Sequence, residues 1–392
     1  MRNKYFWLIF PFLEPLLFKD YAQWIDTIFS LGKIIAFLYI LFLYLKKYKI
    51  SLIIKIILIY QFALLISTIL NPDGDIKRYI GPTVSVLGAC LYTDLMIKKG
   101  VINIALQHIS KIYIAFCILN LISILLRPNG FVSGVSDGNE IYFLGLQNRF
   151  VFVFLPLIAF QALHSILTYK IIRIRIFIIT IINIFILIYF WAVGGMIGLI
   201  LNCILFLTID KLKIKKIFNS ITCSIVVIAA NILLVVFRVQ EIYADFITDK
   251  LGKDVTLTGR TLLWDYGFIS FLNNPIWGIG YNNITKLPSE MLHVAHMHNL
   301  FMNILYYGGL IGLTLFIIIN ILVVRNLYKY REMHSATILV LTLFSSYIMS
   351  LGDTFDNAPF WILIILAYNI GQITKNKKNA SRSFNFNYHS HI

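Results

Sequence analysis

The chain has 392 residues, of which 59% are hydrophobic and only 13% charged, with a formal net charge of +16. Soluble domains carry roughly 25% charged residues, so a water-soluble enzyme of this composition would expose apolar surface everywhere. Uninterrupted apolar runs without period-two alternation also disfavour an outer-membrane β-barrel.

The runs predict an all-α integral membrane protein with about twelve spans, each long enough to cross a ~30 Å hydrocarbon core. They fall at 5–18, 24–45, 50–70, 80–97, 101–126, 143–164, 174–190, 192–209, 217–237, 299–324, 335–350 and 358–373. The first run contains Pro11, Glu14 and Pro15 and lacks a small-residue cleavage site, so it reads as a span and not as a cleaved signal. Every second connection is basic: Lys46, Lys47 and Lys49; Lys98 and Lys99; Lys170, Arg173 and Arg175; Lys211, Lys213, Lys215 and Lys216; Arg325, Lys329 and Arg331. Arg2 and Lys4 at one end, and Lys375, Lys377, Lys378 and Arg382 at the other, belong to the same set. The remaining connections hold most of the acids, among them Asp20, Asp73, Asp75, Asp137, Glu140, Asp353 and Asp356. This positive-inside pattern predicts cytoplasmic termini and acidic connections on the external face. The basic charge therefore reports topology and contact with anionic lipid, and nucleic acid is not an expected partner.

Cys90, Cys117, Cys203 and Cys223 all lie in apolar runs and read as buried thiols, with no disulfide frame or metal spacing. Residues 1–374 are expected to form one polytopic domain that includes an external catalytic loop over 238–298. Residues 375–392, polar and rich in Asn and Ser, are expected to be a disordered cytoplasmic tail. The loop between Arg238 and Met297 is about sixty residues long, far above the usual connection length, and its Trp, Tyr, Phe and Leu content argues for function over disorder. Within it, Arg260 to Asn273 reads as an amphipathic helix at the membrane surface, Asn273-Asn274-Pro275 stops it, and Trp277-Gly278-Ile279-Gly280 makes a tight turn. The Gly- and Ser-rich stretch from Arg127 to Ile141 reads as a flexible flap over the same face.

Candidate site residues gather here: Arg260, His293, His296 and His298, with Arg149 just inside the sixth run, Arg238 at the end of the ninth and Arg78 near the start of the fourth. Guanidinium forks bind phosphate oxygens bidentately, so several of them at membrane level suit a lipid-linked diphosphate. Arg238 and Arg78 also fit the plainer role of snorkelling to headgroups or pairing with a nearby Asp. Arg149 opens an apolar run, where an arginine costs ~2.5 kcal/mol or more and functional use is the default. Lys33, Lys55 and Lys111 also fall in runs; Lys55 can snorkel, and the other two are weaker candidates. Glu290, His293, His296 and His298 could be read as a metal set, but no established ligand spacing matches and no metal is expected. A histidine at the mouth of a span suits a general base, or alternatively caps the next helix through Asn299.

Thr258-Gly-Arg260-Thr-Leu-Leu-Trp264, then Asn274-Pro275-Ile-Trp-Gly278-Ile-Gly280, then His298-Asn299 followed after nine residues by Gly309-x-x-Gly312, resembles the O-antigen polymerase and ligase superfamily. The resemblance is specific over 258–314. It implies a glycosyltransferase of the bacterial plasma membrane that uses undecaprenyl-diphosphate-linked oligosaccharide on the external face, with no cofactor. It further implies that Arg260 holds the diphosphate and His298 is catalytic, with Arg149, Arg238, His296, Trp264 and Asn299 as substrate-binding candidates. Relatives often open the eighth span with a Ser-Arg-Gly-like motif, whereas this chain reads Trp191-Ala-Val-Gly194-Gly195-Met196, so a second arginine is expected from Arg149 or Arg238. The opening Phe10-Pro-Phe-Leu-Glu-Pro15 resembles capsule and exopolysaccharide polymerases, which favours polymerase over ligase and implies a flippase and a chain-length regulator as neighbours. A transporter or flippase is the alternative from another class. It would show inverted repeats and charges near mid-span, and neither is seen.

Overall fold

The computed structural model describes residues 3–135, 139–207, 216–239, 242, 260–282, 296–354 and 356–375. Residues 376–392 of the expected tail, His293, Glu290 and Asp137 lie outside these residues, as does much of the 238–298 loop. The protein is a helical membrane protein. Six helices are long and apolar enough to cross a bilayer: α2 (Gln23–Lys47), α3 (Leu52–Leu70), α4 (Ile76–Lys98), α5 (Ile102–Leu126), the Gln147–Tyr169 segment containing α6 (Val151–Tyr169), and α11 (Leu300–Lys329). Shorter apolar helices fill the other predicted runs: α7 (Ile174–Tyr189), α8 (Val193–Leu207), α9 (Ser220–Val235), α12 (His334–Met349) and α13 (Ala358–Tyr368).

The first run departs from expectation. Residues Asn3–Leu13 form a 3-10 helix, and Pro15 caps the short α1 (Leu16–Tyr21). Pro11 and Pro15 remove backbone donors and prevent one continuous α-helix here. The α4, α9, α11 and α13 starts are set by Asx caps, whose carboxyl or amide oxygens accept the first free amides: Asp75, Asn219, Asn299 and Asn357. The Arg127–Ile141 stretch, expected to be a flexible flap, instead enters a three-stranded antiparallel sheet of β1 (Val132–Val135), β2 (Asn139–Tyr142) and β3 (Gly145–Leu146). The Tyr142 hydroxyl lies against both the Pro128 carbonyl and the Glu140 carboxylate and donates its one proton to one of them, which ties the hairpin down.

The core runs through α3, α4, α6, α11, α12 and α13, with α3 packed on α11, α4 on α13 and α6 on α12. Residues Arg260–Asn273 form α10, the amphipathic helix expected from sequence. Leu263, Trp264, Gly267 and Ser270 are buried against α11, while Leu262, Phe268, Ile269 and Leu272 stay exposed.

Beyond α10 the chain turns back along a break in α11. Gly309 has φ 56° and ψ −154°, a conformation essentially restricted to glycine. The break frees backbone groups that an apolar environment cannot leave unpaired. The returning segment pairs four of them: Ile279 N–H donates to Tyr306 O (2.7 Å), Gly280 N–H to Tyr307 O (3.0 Å), and Leu310 and Ile311 N–H to the Pro275 and Ile276 carbonyls (2.9 and 3.2 Å). A Cβ on Gly278 would come within 2.5 Å of the Gly309 nitrogen. The glycines of the sequence signature therefore let two backbones meet. Gly309→Ala is expected to cost at least about 1–3 kcal/mol, because positive φ and backbone collision add; thermal unfolding of the detergent-solubilised protein measures it.

Candidate functional site

One end of the bundle, the end with the acidic connections, collects charged and ionisable side chains from four separate elements. Residues Gln147–Arg149 form a 3-10 turn between β3 and α6. Phe150, fully buried between the rings of Tyr142 and Phe190 (6.0 and 5.7 Å), fixes the direction in which Arg149 leaves that turn. Arg260 is the first residue of α10. His296 and His298 flank Met297, which is buried and receives a hydrogen bond on its carbonyl from Trp264 Nε1 (2.9 Å). With Met297 held inward, both imidazoles emerge together, ring centroids 4.3 Å apart. His298 sits at φ 48°, a left-handed conformation that histidine adopts more readily than most residues.

Asp353, on the loop between α12 and α13, is the hub. Its Oδ1 lies 3.5 Å from both His296 Nε2 and His298 Nδ1, and its Oδ2 lies 3.9 Å from Arg149 Nε. A Cβ on the preceding Gly352 would touch Arg260 Nη1 at 3.0 Å, which places that guanidinium against the same loop. His296, His298, Arg149 and Asp353 are each 17–25% exposed, so water reaches a cluster that is otherwise enclosed. Arg149 Nε and His298 Nδ1 are buried without a hydrogen-bond partner. Unsatisfied charged or polar atoms are costly in a folded protein unless a ligand completes them.

The protonation pattern follows from the geometry. Arg149 Nη2 faces His296 Nε2 at 3.0 Å, and the His298 backbone N–H faces His296 Nδ1 at 3.2 Å. A neutral imidazole can accept from one of these two donors, whereas a protonated one has no lone pair for either. Burial, and then the positive charge of Arg149 and Arg260 beside His298, outweigh the pull of Asp353 and push His296 down to about 3. Burial alone would raise Asp353, but contacts with His298, His296 and Arg149 hold its carboxyl well below the usual range. Burial lowers Arg260, opposed by Asp353, yet an arginine so placed keeps its proton.

The depressed His296 makes stability acid-sensitive. Below pH ~6.5 the unfolded chain takes a proton at this residue that the folded chain refuses until about pH 3, so stability falls as pH drops through that window. His296→Gln is expected to lose less thermal stability than the wild-type protein between pH 7.5 and 5, measured by unfolding temperature at each pH.

Three of the seven residues singled out from sequence have other work. Trp264 is 2% exposed and buttresses the His296–His298 segment through its bond to the Met297 carbonyl. Asn299 is fully buried. It caps α11 through Met302 N–H (3.0 Å) and donates to Asn231 Oδ1 (2.8 Å), so its amide is engaged within the fold. Arg238 pairs with Asp265 of α10 and anchors that helix to the end of α9. Arg78 pairs with Asp75 (3.8 Å) and Lys33 with Glu14, as the plainer reading expected for Arg78. Sequence reasoning counted Asp353 only as one more external acid. Its signal was a pair of carboxyls, Asp353 and Asp356, in a short connection between two apolar helices. His296, His298 and Asp353 also offer ligand atoms within 4.8 Å of one another, a spacing a small cation could bridge. Arg149 and Arg260 already bring positive charge to Asp353, which weighs against a second cation in the same space.

The family model described as O-antigen ligase matches residues 178–317, which include Arg260, His296 and His298. Over that segment the chain is similar to this family. The exopolysaccharide production protein ExoQ of Rhizobium meliloti (strain 1021) is 37% identical over 103 residues, which cover 22% of this chain and 24% of that relative. The chain thus spans about a quarter of the length of the curated relative it matches. No solved structure matches the chain. Arg149 and Asp353 lie outside the matched segment, and the fold alone joins them to it.

Proposed function

We propose that the chain is a metal-independent glycosyltransferase that polymerises undecaprenyl-diphosphate-linked oligosaccharide repeat units into a capsular, exo- or O-antigen polysaccharide on the outer face of the bacterial plasma membrane. The observation that carries this reading is the juxtaposition of two arginines, Arg149 and Arg260, with a histidine held against a carboxylate, His298 and Asp353. A diphosphate leaves well once its developing charge is neutralised, which two guanidinium forks achieve; the partnerless Arg149 Nε is one donor ready for it. The Asp353 carboxylate, 3.5 Å from His298 Nδ1, favours the tautomer protonated on that nitrogen, which leaves Nε2 as the base. As the acceptor hydroxyl attacks the anomeric carbon, its proton passes to His298 Nε2, the bond to the diphosphate oxygen breaks, and the electron pair leaves with the lipid diphosphate. Direct displacement inverts that carbon. Arg149 thereby takes the place of the missing Ser-Arg-Gly arginine, and Arg238, committed to Asp265, does not.

The similarity of residues 178–317 to the O-antigen ligase family keeps ligase-type transfer as the second reading, with the same chemistry and a different acceptor. The transporter alternative finds less support, because the ionisable cluster sits at the mouth of the bundle. A deletion strain tests all three through gel analysis of its surface glycan. Single repeat units in the deletion, with ladders restored by the wild-type gene, are expected. Full-length polymer stranded on the lipid carrier would make the chain a ligase, and absence of any repeat unit outside would return transport. A flippase and a chain-length regulator are the proposed neighbours of the polymerase.

A further inference from the structure

His296 meets more donors than it has lone pairs. Arg149 Nη2 faces its Nε2 at 3.0 Å, the His298 backbone N–H faces its Nδ1 at 3.2 Å, and Thr354 Oγ1 lies 3.2 Å from the same Nδ1. A neutral imidazole carries its proton on one nitrogen and accepts on the other, and which nitrogen is protonated is set by what each one meets. With the proton on Nε2, a ring N–H would point at the closer of the two fixed donors, and that donor is a cation. Asp353 Oδ1, the carboxylate oxygen on that side, is 3.5 Å away, too long for a good N–H···O bond. With the proton on Nδ1, Nε2 accepts a charge-assisted bond from the guanidinium. The Nδ1 proton then goes to the Thr354 hydroxyl, which rotates to receive it. The conflict that remains is with a neutral amide at the longer distance, so the second arrangement is the favoured one.

Thr354 is well placed to hold it. The residue is partly buried on the connection between α12 and α13, and its backbone N–H donates to Asp353 Oδ1 at 2.7 Å. One residue therefore holds the carboxylate through its backbone and the imidazole through its side chain. The effect reaches Arg149. A guanidinium bonded through Nη2 to a fixed imidazole loses much of its freedom to swing, and its partnerless Nε is kept ready for a ligand.

We propose that Thr354 is a positioning residue, whose hydroxyl fixes the His296 tautomer that holds Arg149 in place for the lipid diphosphate. The proposal rests on the transferase reading above for what Arg149 binds, whereas the tautomer is a property of the resting protein. Its test uses the full-length protein in nanodiscs, nitrogen NMR of 15N-labelled histidine, and farnesyl diphosphate as a probe that carries the diphosphate and no glycan. The His296 signals are those missing from His296→Gln. Wild type is expected to show Nδ1 protonated and Nε2 bare, and the reverse would overturn the proposal before any change at Thr354. Thr354→Val keeps the shape and the backbone N–H but removes the acceptor. It is expected to lose that tautomer signature and to bind farnesyl diphosphate about tenfold more weakly, the usual worth of one hydrogen bond to a charged group, with unfolding temperature near wild type. Thr354→Ser, which restores the hydroxyl, is expected to regain both. Unchanged tautomer and binding in Thr354→Val, or equal losses in the Val and Ser variants, would overturn the positioning role, the latter by reducing Thr354 to packing. If wild type shows the expected tautomer but binds no farnesyl diphosphate, the diphosphate reading falls and takes the role of Thr354 toward Arg149 with it.

Discussion

A folded His298→Ala protein is expected to transfer glycan about 10²–10⁴-fold more slowly than wild type, the usual worth of a positioned general base. The loss should fall on kcat with donor affinity largely kept, because the imidazole acts on the acceptor hydroxyl and the arginines hold the diphosphate. Asp353→Asn extends the argument. It keeps the size of the side chain but removes the charge that supports the imidazolium formed in transfer, and it leaves Arg149 with less opposing charge. The Asn variant should therefore also be slow, and the double variant with His298→Ala should be little slower than His298→Ala alone, since the two residues act as a unit. Single-turnover kinetics on reconstituted protein distinguish this from independent losses. Full-rate polymer from folded His298→Ala would remove histidine from the chemistry.

Arg260→Ala and Arg149→Ala form the second expectation. Each removes a charged donor from the leaving group, a type of loss typically worth about 10²–10³ in rate. Lysine should restore only part of either, because an ammonium cannot span two phosphate oxygens as a guanidinium fork does. The two positions also differ. Arg149 touches His296 and Asp353 directly, so Arg149→Ala releases both, whereas Arg260 sits on an amphipathic helix that Leu263 and Trp264 keep docked. Donor titration in detergent should show weakened binding for both, and Arg238→Ala should show none beyond what its lost tie to Asp265 does to unfolding temperature.

Much of this molecule was readable from the chain. Eleven of the runs expected to be spans are helices, because an apolar stretch of membrane length has few other ways to satisfy its backbone. The amphipathic helix after Gly259 was legible in its two-faced pattern, and Arg260 and His298 were legible in the motif spacing. The first run was misjudged because apolarity overshadowed Pro11 and Pro15. The 127–141 stretch was misjudged because its Gly and Ser content suggested mobility, whereas Tyr142 packed between Phe150 and Phe190 pins it.

What the sequence determined by itself was the membrane class, the helix positions and the residue types of the candidate chemistry. These depend on local composition and on period, quantities that a linear reading contains. The tertiary structure alone decided which polar residues meet. Arg149 and Asp353 are 204 positions apart in the chain and come together only because α6 and α12 pack side by side and their ends coincide. It equally decided which partners Trp264, Asn299 and Arg238 take, since a side chain's free atoms depend on neighbours that arrive from distant helices.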